Sequence, residues 1–361
     1  MTIVIKQIQF NDLFLPKLQR EEKRRILFED GRRHELKVLV TGGTGFIGSH
    51  LVEALLRRGD QVRCLIRRTS RLEWLKDLPV ERVYGDCNDE GSLKDAVIEV
   101  EQIFHCAGVT KAAQDRNYFE VNATGTENLI RSCLDHNPRL QKFINLSSQA
   151  AAGPCQDGES KKESDACQPV SSYGRSKRMG EEFALGHAHE LPIVILRPSA
   201  VYGPRERDIY AFVKLLSKRI NPCLSGQEQH LSLCYVQDVV DAILLASEIN
   251  DPKGDIFFVS DGKEYRLEEI GDIFAQAMGV KAIRVPVPRW VIMGAASLSE
   301  AWSRLSRKPS VVNRGKVEEL VQEKWVCDIS RARSLLCFEP RFPLEEGARL
   351  TVDWYRKENW L

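Results

Sequence analysis

The feature that most constrains the fold is an alternation that begins at Lys37 with KVLVTGGTGFIGSH. A short apolar strand, a glycine-rich turn and an amphipathic segment follow one another without a break. The rhythm continues in QVRCLIR, VERVYGD, QIFHCAG, KFINLSS, PIVILRP and DIFFVS, which read as strands of about five residues. Between them lie segments with helical apolar spacing: IGSHLVEALLRRG, SRLEWLKDL, SLKDAVIEV, VNATGTENLIRSCLDH, Tyr173 to His189, and DVVDAILLASE. Short strands separated by helices of about ten residues or more imply parallel crossovers. The fold class expected is therefore α/β, a doubly wound parallel sheet with a smaller C-terminal substrate-binding lobe.

Residues 1–36 stand apart. MTIVIKQIQF has the pattern of a short strand, but REEKRR and EDGRRHE are charge runs without an apolar period. They are expected to form a disordered or loosely attached extension. Residues 37–202 are assigned to a dinucleotide-binding domain, 203–232 to an insertion of the substrate lobe, 233–261 to a return to the sheet, and 262–361 mainly to the lobe. The lobe segments are rich in Arg, Pro and short predicted helices. They are expected to cover the carboxyl ends of the strands, where open α/β sheets bind ligands.

Composition excludes several classes. Lys and Arg total 52 against 51 Asp and Glu, a formal charge of +1, which gives no electrostatic case for nucleic acid. The ten cysteines show no C-x-x-C pair and no metal-ligand spacing. Several sit in apolar runs, as Cys64, Cys106 and Cys234 do. They are expected as buried thiols of a reducing, cytoplasmic compartment, with no metal bound. The apolar stretch Ile3–Ile8 is broken by Lys6 and Gln7, so no secretory signal is expected. No apolar run reaches the length of a membrane span.

Gly42, Gly45 and Gly48 follow a strand directly and open a helix. Gly42 permits the tight turn, Gly45 lets a diphosphate approach the backbone, and Gly48 lets the helix pack on the strand. Backbone amides at the helix N-terminus would hold the diphosphate. At the end of the second strand the chain reads Leu65-Ile66-Arg67-Arg68-Thr69-Ser70, with no acid to bind an adenosine ribose. Arg67 and Arg68 would instead neutralise a 2′-phosphate, which favours NADP(H) over NAD(H); otherwise they form a solvated edge. Asp86 follows the third strand, placed either to meet the adenine amino group or to shape a turn.

The stretch SSYGRSK puts Tyr173 and Lys177 on one helical face. Ser147 and Ser148 end an earlier strand, with Ser148 25 residues before Tyr173. Either Tyr173 and Lys177 are a surface pair, or the three groups converge beside a nicotinamide. In the second case the ammonium would lower the phenol's pKa and the serine would bind the reacting oxygen.

TGGTGFIGSH, HCAG, VNATGT, NLSS, YGRSK and LRPSAVYGP, in this order, resemble the extended short-chain dehydrogenase/reductase family over about residues 37–355. The resemblance implies Tyr173 as acid/base, Lys177 as its electrostatic partner and ribose ligand, and Ser148, before Ser147, as donor to the substrate oxygen. It implies Asn122 as the residue that holds the active-site backbone and a water; Asn122 also suits a helix cap. It extends the cofactor site to Gly42, Thr44, Gly45, Phe46, Ile47, Gly48, Arg67, Arg68, Asp86, Cys87, Cys106, Ala107, Gly108, Lys177 and Pro198. His105 is read as a packed or cofactor-wall residue.

Two departures separate the branches of that family. Ala200 stands where sugar-nucleotide members carry asparagine, and Leu231 where they carry arginine. Gln149-Ala150 replaces the acid pair of dehydratases. LRPSAVYGP is closer to the 3-beta-hydroxysteroid dehydrogenase and dihydroflavonol reductase branch, although Arg205, Arg207 or His230 could replace the missing diphosphate contacts. The expected activity is interconversion of a secondary alcohol and a ketone on a small hydrophobic or polyoxygenated molecule. A nucleotide-sugar 4-epimerase with tightly bound NAD is the alternative. Dimer packing around crossover helices is common in the family, so a homodimer is a further expectation. PRWVIMGAASLSEAWSRLS is read first as a lobe helix with one buried face. Some steroid-branch members bear a membrane-meeting segment in a similar region, which makes peripheral membrane contact the second reading.

Overall fold

The computed structural model describes residues 35–156, 158–306 and 314–361. Seven strands build its central sheet: β1 (Lys37–Thr41), β2 (Gln61–Ile66), β3 (Glu81–Tyr84), β4 (Gln102–His105), β5 (Lys142–Leu146), β6 (Ile193–Pro198) and β7 (Asp255–Val259). The spatial order is β7-β6-β5-β4-β1-β2-β3, and every neighbouring pair is parallel. The central strands are apolar on both sides because both faces are covered. Val38 and Val40 enter one core layer, and Leu39 enters the other. The order reverses between β1 and β4, so the crevice at their carboxyl ends is the switch point.

The first crossover helix, Phe46–Arg58, buries Gly48, Ser49, Leu51, Val52, Ala54 and Leu55 on one face. Removing a fully buried leucine here, as in Leu55→Ala, costs about 2–5 kcal/mol. The helix stops at Gly59, which adopts the left-handed conformation with φ 93°.

The expected helix over SRLEWLKDL is instead a run of turns closed by Leu75 N–H and Lys76 N–H on the Leu72 carbonyl. Arg82 takes up the Leu75 and Lys76 carbonyls at 2.8 and 2.9 Å, and Pro79 disfavours helix at Leu78. Trp74 is half-buried between the Arg205 guanidinium, 4.7 Å from its ring centre, and the Trp354 ring at 5.9 Å. The SLKDAVIEV helix shrinks to Lys94–Val97 after a single 3-10 turn.

The lobe is stitched from distant segments. Ala200–Tyr202 pairs with Leu233–Tyr235, Ile220–Leu224 with Ile283–Val287, and His230–Leu231 with both Tyr265–Arg266 and Lys324–Trp325. Tyr202, Tyr235, Phe274, Val352 and Tyr355 share its core. Gly347 lies so close to Tyr202 that an added Cβ would meet the phenol oxygen at 2.2 Å. Cys327, Ile329, Ala332, Leu336 and Phe338 return to the sheet's core. The lobe's helices include two long ones, Arg289–Ser306, within the stretch read as a lobe helix, and Leu344–Lys357.

The Arg289–Ser306 helix packs Ala296 against Val317 and Val321. No helix among the described residues is long and apolar enough to cross a membrane. Residues 1–34 and, within the basic segment, Arg307 and Lys308 lie outside the described residues. All ten cysteines are free thiols.

Candidate active site

The glycine turn sits at the switch point. Gly42 has φ +71°, and an added Cβ would lie 2.6 Å from the Ala107 nitrogen at the end of β4. At Gly48 it would lie 2.2 Å from the Gly42 oxygen, so the helix can approach only without a side chain. Gly45 is the N-cap and offers no side chain to the helix's first amides. A Cβ there would meet only the Gly42 oxygen, at 3.2 Å, so its other side is open. This geometry would admit a phosphate group, and the residues fit a dinucleotide. Phe46 and Ile47 pack their side chains against the lobe core, which leaves their backbone for a ligand.

Arg67 and Arg68 are exposed at the end of β2. The Arg68 guanidinium lies 5.1 Å from the centre of the Tyr84 ring. Neither arginine has an ion-pair partner among the described residues. Asp86 accepts from the Asn88 amide at 3.0 Å, a turn-forming bond, and Cys87 is buried beside it. Pro198 is buried at the end of β6.

Tyr173 and Ser148 come together because two helices touch backbone to side. Ser148 caps the short helix Gln149–Ala152, accepting from Ala150 N–H at 3.2 Å. Tyr173 opens the helix Ser172–Gly186, capped by Ser171. An added Cβ on Gly174 would lie 2.4 Å from the Ala150 oxygen, so this glycine permits the contact. The Ser148 side chain faces the Tyr173 phenol and opposes the rise of its pKa. Ser147 instead is buried, and its hydroxyl has no hydrogen-bond partner among the described residues.

Lys177 is buried one turn further on and donates to the Leu146 carbonyl at 2.7 Å. Burial lowers its ammonium to about 8, opposed by Glu181 and Cys106. Burial also pushes the Tyr173 phenol up to about 12, and Ser148 opposes the rise while Glu319 and Tyr118 add to it. The lowering expected from the neighbouring ammonium is not what the protein's own groups produce, because desolvation dominates.

Asn122 lies within a helical run, in the π-helical turn Glu120–Thr124, and is not a cap. Its Oδ1 accepts from Val109 N–H at 2.8 Å, and its Nδ2 donates to the Val109 carbonyl at 3.1 Å and to Ser176 at 3.0 Å. It therefore fixes the loop after β4, including Gly108, against the Tyr173 helix. His105 is fully buried between Thr41 (2.7 Å) and Thr126 (3.0 Å). Ala107 N–H donates to Thr41, and Thr126 donates to the Asn122 carbonyl, which leaves His105 protonated on Nε2. Burial holds its pKa down at about 3, so it is a neutral packing residue.

Three site features had no recognised sequence signal. Ser171 is visible as a cap only once the helix start is known. The buried Arg197–Glu181 pair, at 2.8 and 2.7 Å, ties the Tyr173 helix to β6. Glu319 reaches Ser171 from a helix 148 residues away.

A model of the NAD dependent epimerase/dehydratase family matches residues 38–260. The chain belongs to this family. It is similar to the ceramide reductase of Caulobacter vibrioides, at 32% identity over 90% of this chain and 96% of that protein. It is also similar to the UDP-glucose 4-epimerase of Vibrio cholerae, at 28% identity over 91% of this chain and 98% of that protein. The crystal structure of the Thermus thermophilus UDP-glucose 4-epimerase complex with NAD superposes with a TM-score of 0.72. That pair is 26% identical and covers 89% of this chain and 99% of the other. Together with the fold, these relationships make the protein an NAD(P)-dependent enzyme of the extended short-chain type, an oxidoreductase or an epimerase.

Proposed function

We propose that this enzyme interconverts a secondary alcohol and a ketone with NADP(H), on a small hydrophobic or polyoxygenated substrate that carries no nucleotide. One observation carries the choice. Each of the three basic side chains that could replace the missing diphosphate contacts faces a carboxylate. Arg205 lies 2.5 Å from Glu53, Arg207 lies 3.7 Å from Glu73, and His230 lies 2.7 Å from Glu264. Ala200 and Leu231 add no polar group, so a buried diphosphate would lack partners. Ala200 is exposed and Leu231 packs against the lobe core.

The cradle of Gly42, Gly45 and Gly48 would hold the diphosphate, and Arg67 with Arg68 the 2′-phosphate. Lys177 would hold the nicotinamide ribose. A bound nicotinamide supplies the hydride donor or acceptor. Tyr173, a neutral phenol at physiological pH, donates its proton to the carbonyl oxygen in reduction; as phenolate it accepts the hydroxyl proton in oxidation. Ser148 donates a hydrogen bond to the same oxygen. Asn122 keeps the Val109 backbone in place beside them. The ten free thiols support a reducing, cytoplasmic setting. A homodimer packed through crossover helices is part of this reading.

The test presents the NADPH-loaded protein with steroid, flavonol and aryl ketones beside UDP-, GDP- and dTDP-sugars. Nicotinamide absorbance and sugar configuration are both followed. Ketone-dependent NADPH consumption is expected. Inversion at C4 of any sugar nucleotide would replace this reading with the epimerase.

A further inference from the structure

We infer that Glu319 is a specificity-determining residue of the Tyr173 site, a lobe carboxylate that makes the pocket reject anionic substrates. The inference rests on the ketone reading and names the substrate class further: neutral at the end that enters beside Tyr173.

The geometry begins with the cap. Ser171 is buried, accepts from Gly174 N–H at 2.9 Å, and donates its own hydroxyl proton to Glu319 Oε1. That cap opens the helix whose second residue is Tyr173. Glu319 belongs to the lobe helix Arg314–Leu320. Side-chain donors pin the end of this segment: Trp325 reaches the Glu319 carbonyl at 2.8 Å, Gln227 the Val321 carbonyl at 2.9 Å, and Gln229 the Leu320 carbonyl. The carboxylate is thus fixed at the cap.

No ion pair reaches it among the described residues, and Lys316 offsets its charge only from a distance. Lys316, one turn back, reaches Asp208, and Lys111 reaches the same carboxylate from the loop after β4. The polar and titratable groups acting on Glu319 are Ser171, Lys316 and Glu318; those acting on Tyr173 are Ser148, Tyr118 and Glu319 itself. Held by Ser171 at the cap two residues before Tyr173, the carboxylate stands where its charge opposes ionisation of the phenol. A phosphate, sulfonate or carboxylate on the substrate would meet the same repulsion, whereas a neutral carbonyl compound would not.

The test uses two probes of one shape, acetophenone and 4-acetylbenzenesulfonate. Their dissociation constants are measured by calorimetry on the full chain saturated with NADP+. The parent should prefer the neutral probe, and Glu319→Gln should reduce that preference by about tenfold, the scale of one unit charge at a partly screened site. Glutamine keeps an oxygen for Ser171, so the cap survives. Glu318→Gln removes the same charge one residue away, from an exposed side chain, and should leave the preference in place. Burial raises the Glu319 carboxyl's pKa, so the preference should also weaken on acidification in the parent and stay flat in Glu319→Gln. An unchanged preference in Glu319→Gln, or an equal loss in Glu318→Gln, overturns the inference. Turnover with NADPH is recorded separately. If the parent binds but reduces neither ketone, the ketone reading loses its support, while the binding preference still decides the role of Glu319.

Discussion

Replacing Lys177 by methionine should stabilise the fold while it removes activity. The amine is buried, and burial lowers its pKa from 10.5 to about 8. At about 1.4 kcal/mol per pH unit, that fall corresponds to about 3 kcal/mol by which the folded state disfavours the charged form. The sign follows from linkage. Below pH 8 the amine is charged in both folded and unfolded chains, and the full penalty is present. Between about pH 8 and 10.5 only the unfolded chain keeps the proton, so stability recovers as pH rises. Methionine has similar length and no charge, so it removes the penalty. It also strips the Leu146 carbonyl of a donor, which costs about 1–3 kcal/mol if that group stays dry. The net expectation at pH 7 is a gain of about 1 kcal/mol, which shrinks and then reverses toward pH 10. Urea unfolding of parent and Lys177→Met across pH 6–10, with no dinucleotide added, reads this directly. A variant less stable than the parent at pH 7, or a difference independent of pH, would refute the reasoning.

Other expectations follow from single contacts. Arg67→Ala and Arg68→Ala should weaken NADPH binding more than NADH binding in a fluorescence titration; equal losses would remove the 2′-phosphate contact. Gly48→Ala forces a Cβ to within 2.2 Å of the Gly42 oxygen, so dinucleotide binding should fail and the melting temperature should drop. His105 is held neutral, with its pKa lowered by burial to about 3, so its contribution to stability is present above pH 6.5 and is lost as pH falls toward 3. The unfolded chain binds that proton first, which gives a slope of about 1.4 kcal/mol per pH unit that His105→Gln should flatten in urea midpoints measured from pH 7 to 5.

Much of this architecture was legible because the signals were local. The apolar runs of β1 and β4–β6 are buried on both faces, and the glycines at 42 and 48 occupy positions where a Cβ cannot fit. Tyr173 and Lys177 share a face by helical geometry alone. The misreadings have tertiary causes. SRLEWLKDL carries a helical period, but Arg82, from the next strand, takes its carbonyls, and Arg205 and Trp354, from the lobe, pack on Trp74. The phenol's upward shift depends on burial that no spacing reveals. Glu319 meets Ser171 only through the docking of the lobe.

The central claim is that Tyr173 protonates a ketone oxygen while the carbon is reduced. The most direct test supplies 4-deuterated NADPH, on the transferred face, with a reducible ketone from the panel, and weighs the alcohol formed. The account predicts one deuterium on the carbinol carbon with the parent. It predicts the same labelled product from Tyr173→Phe at a rate about 10²–10⁴-fold lower, with dinucleotide affinity nearly unchanged. Parent-like turnover in Tyr173→Phe, or an alcohol without the label, would contradict it.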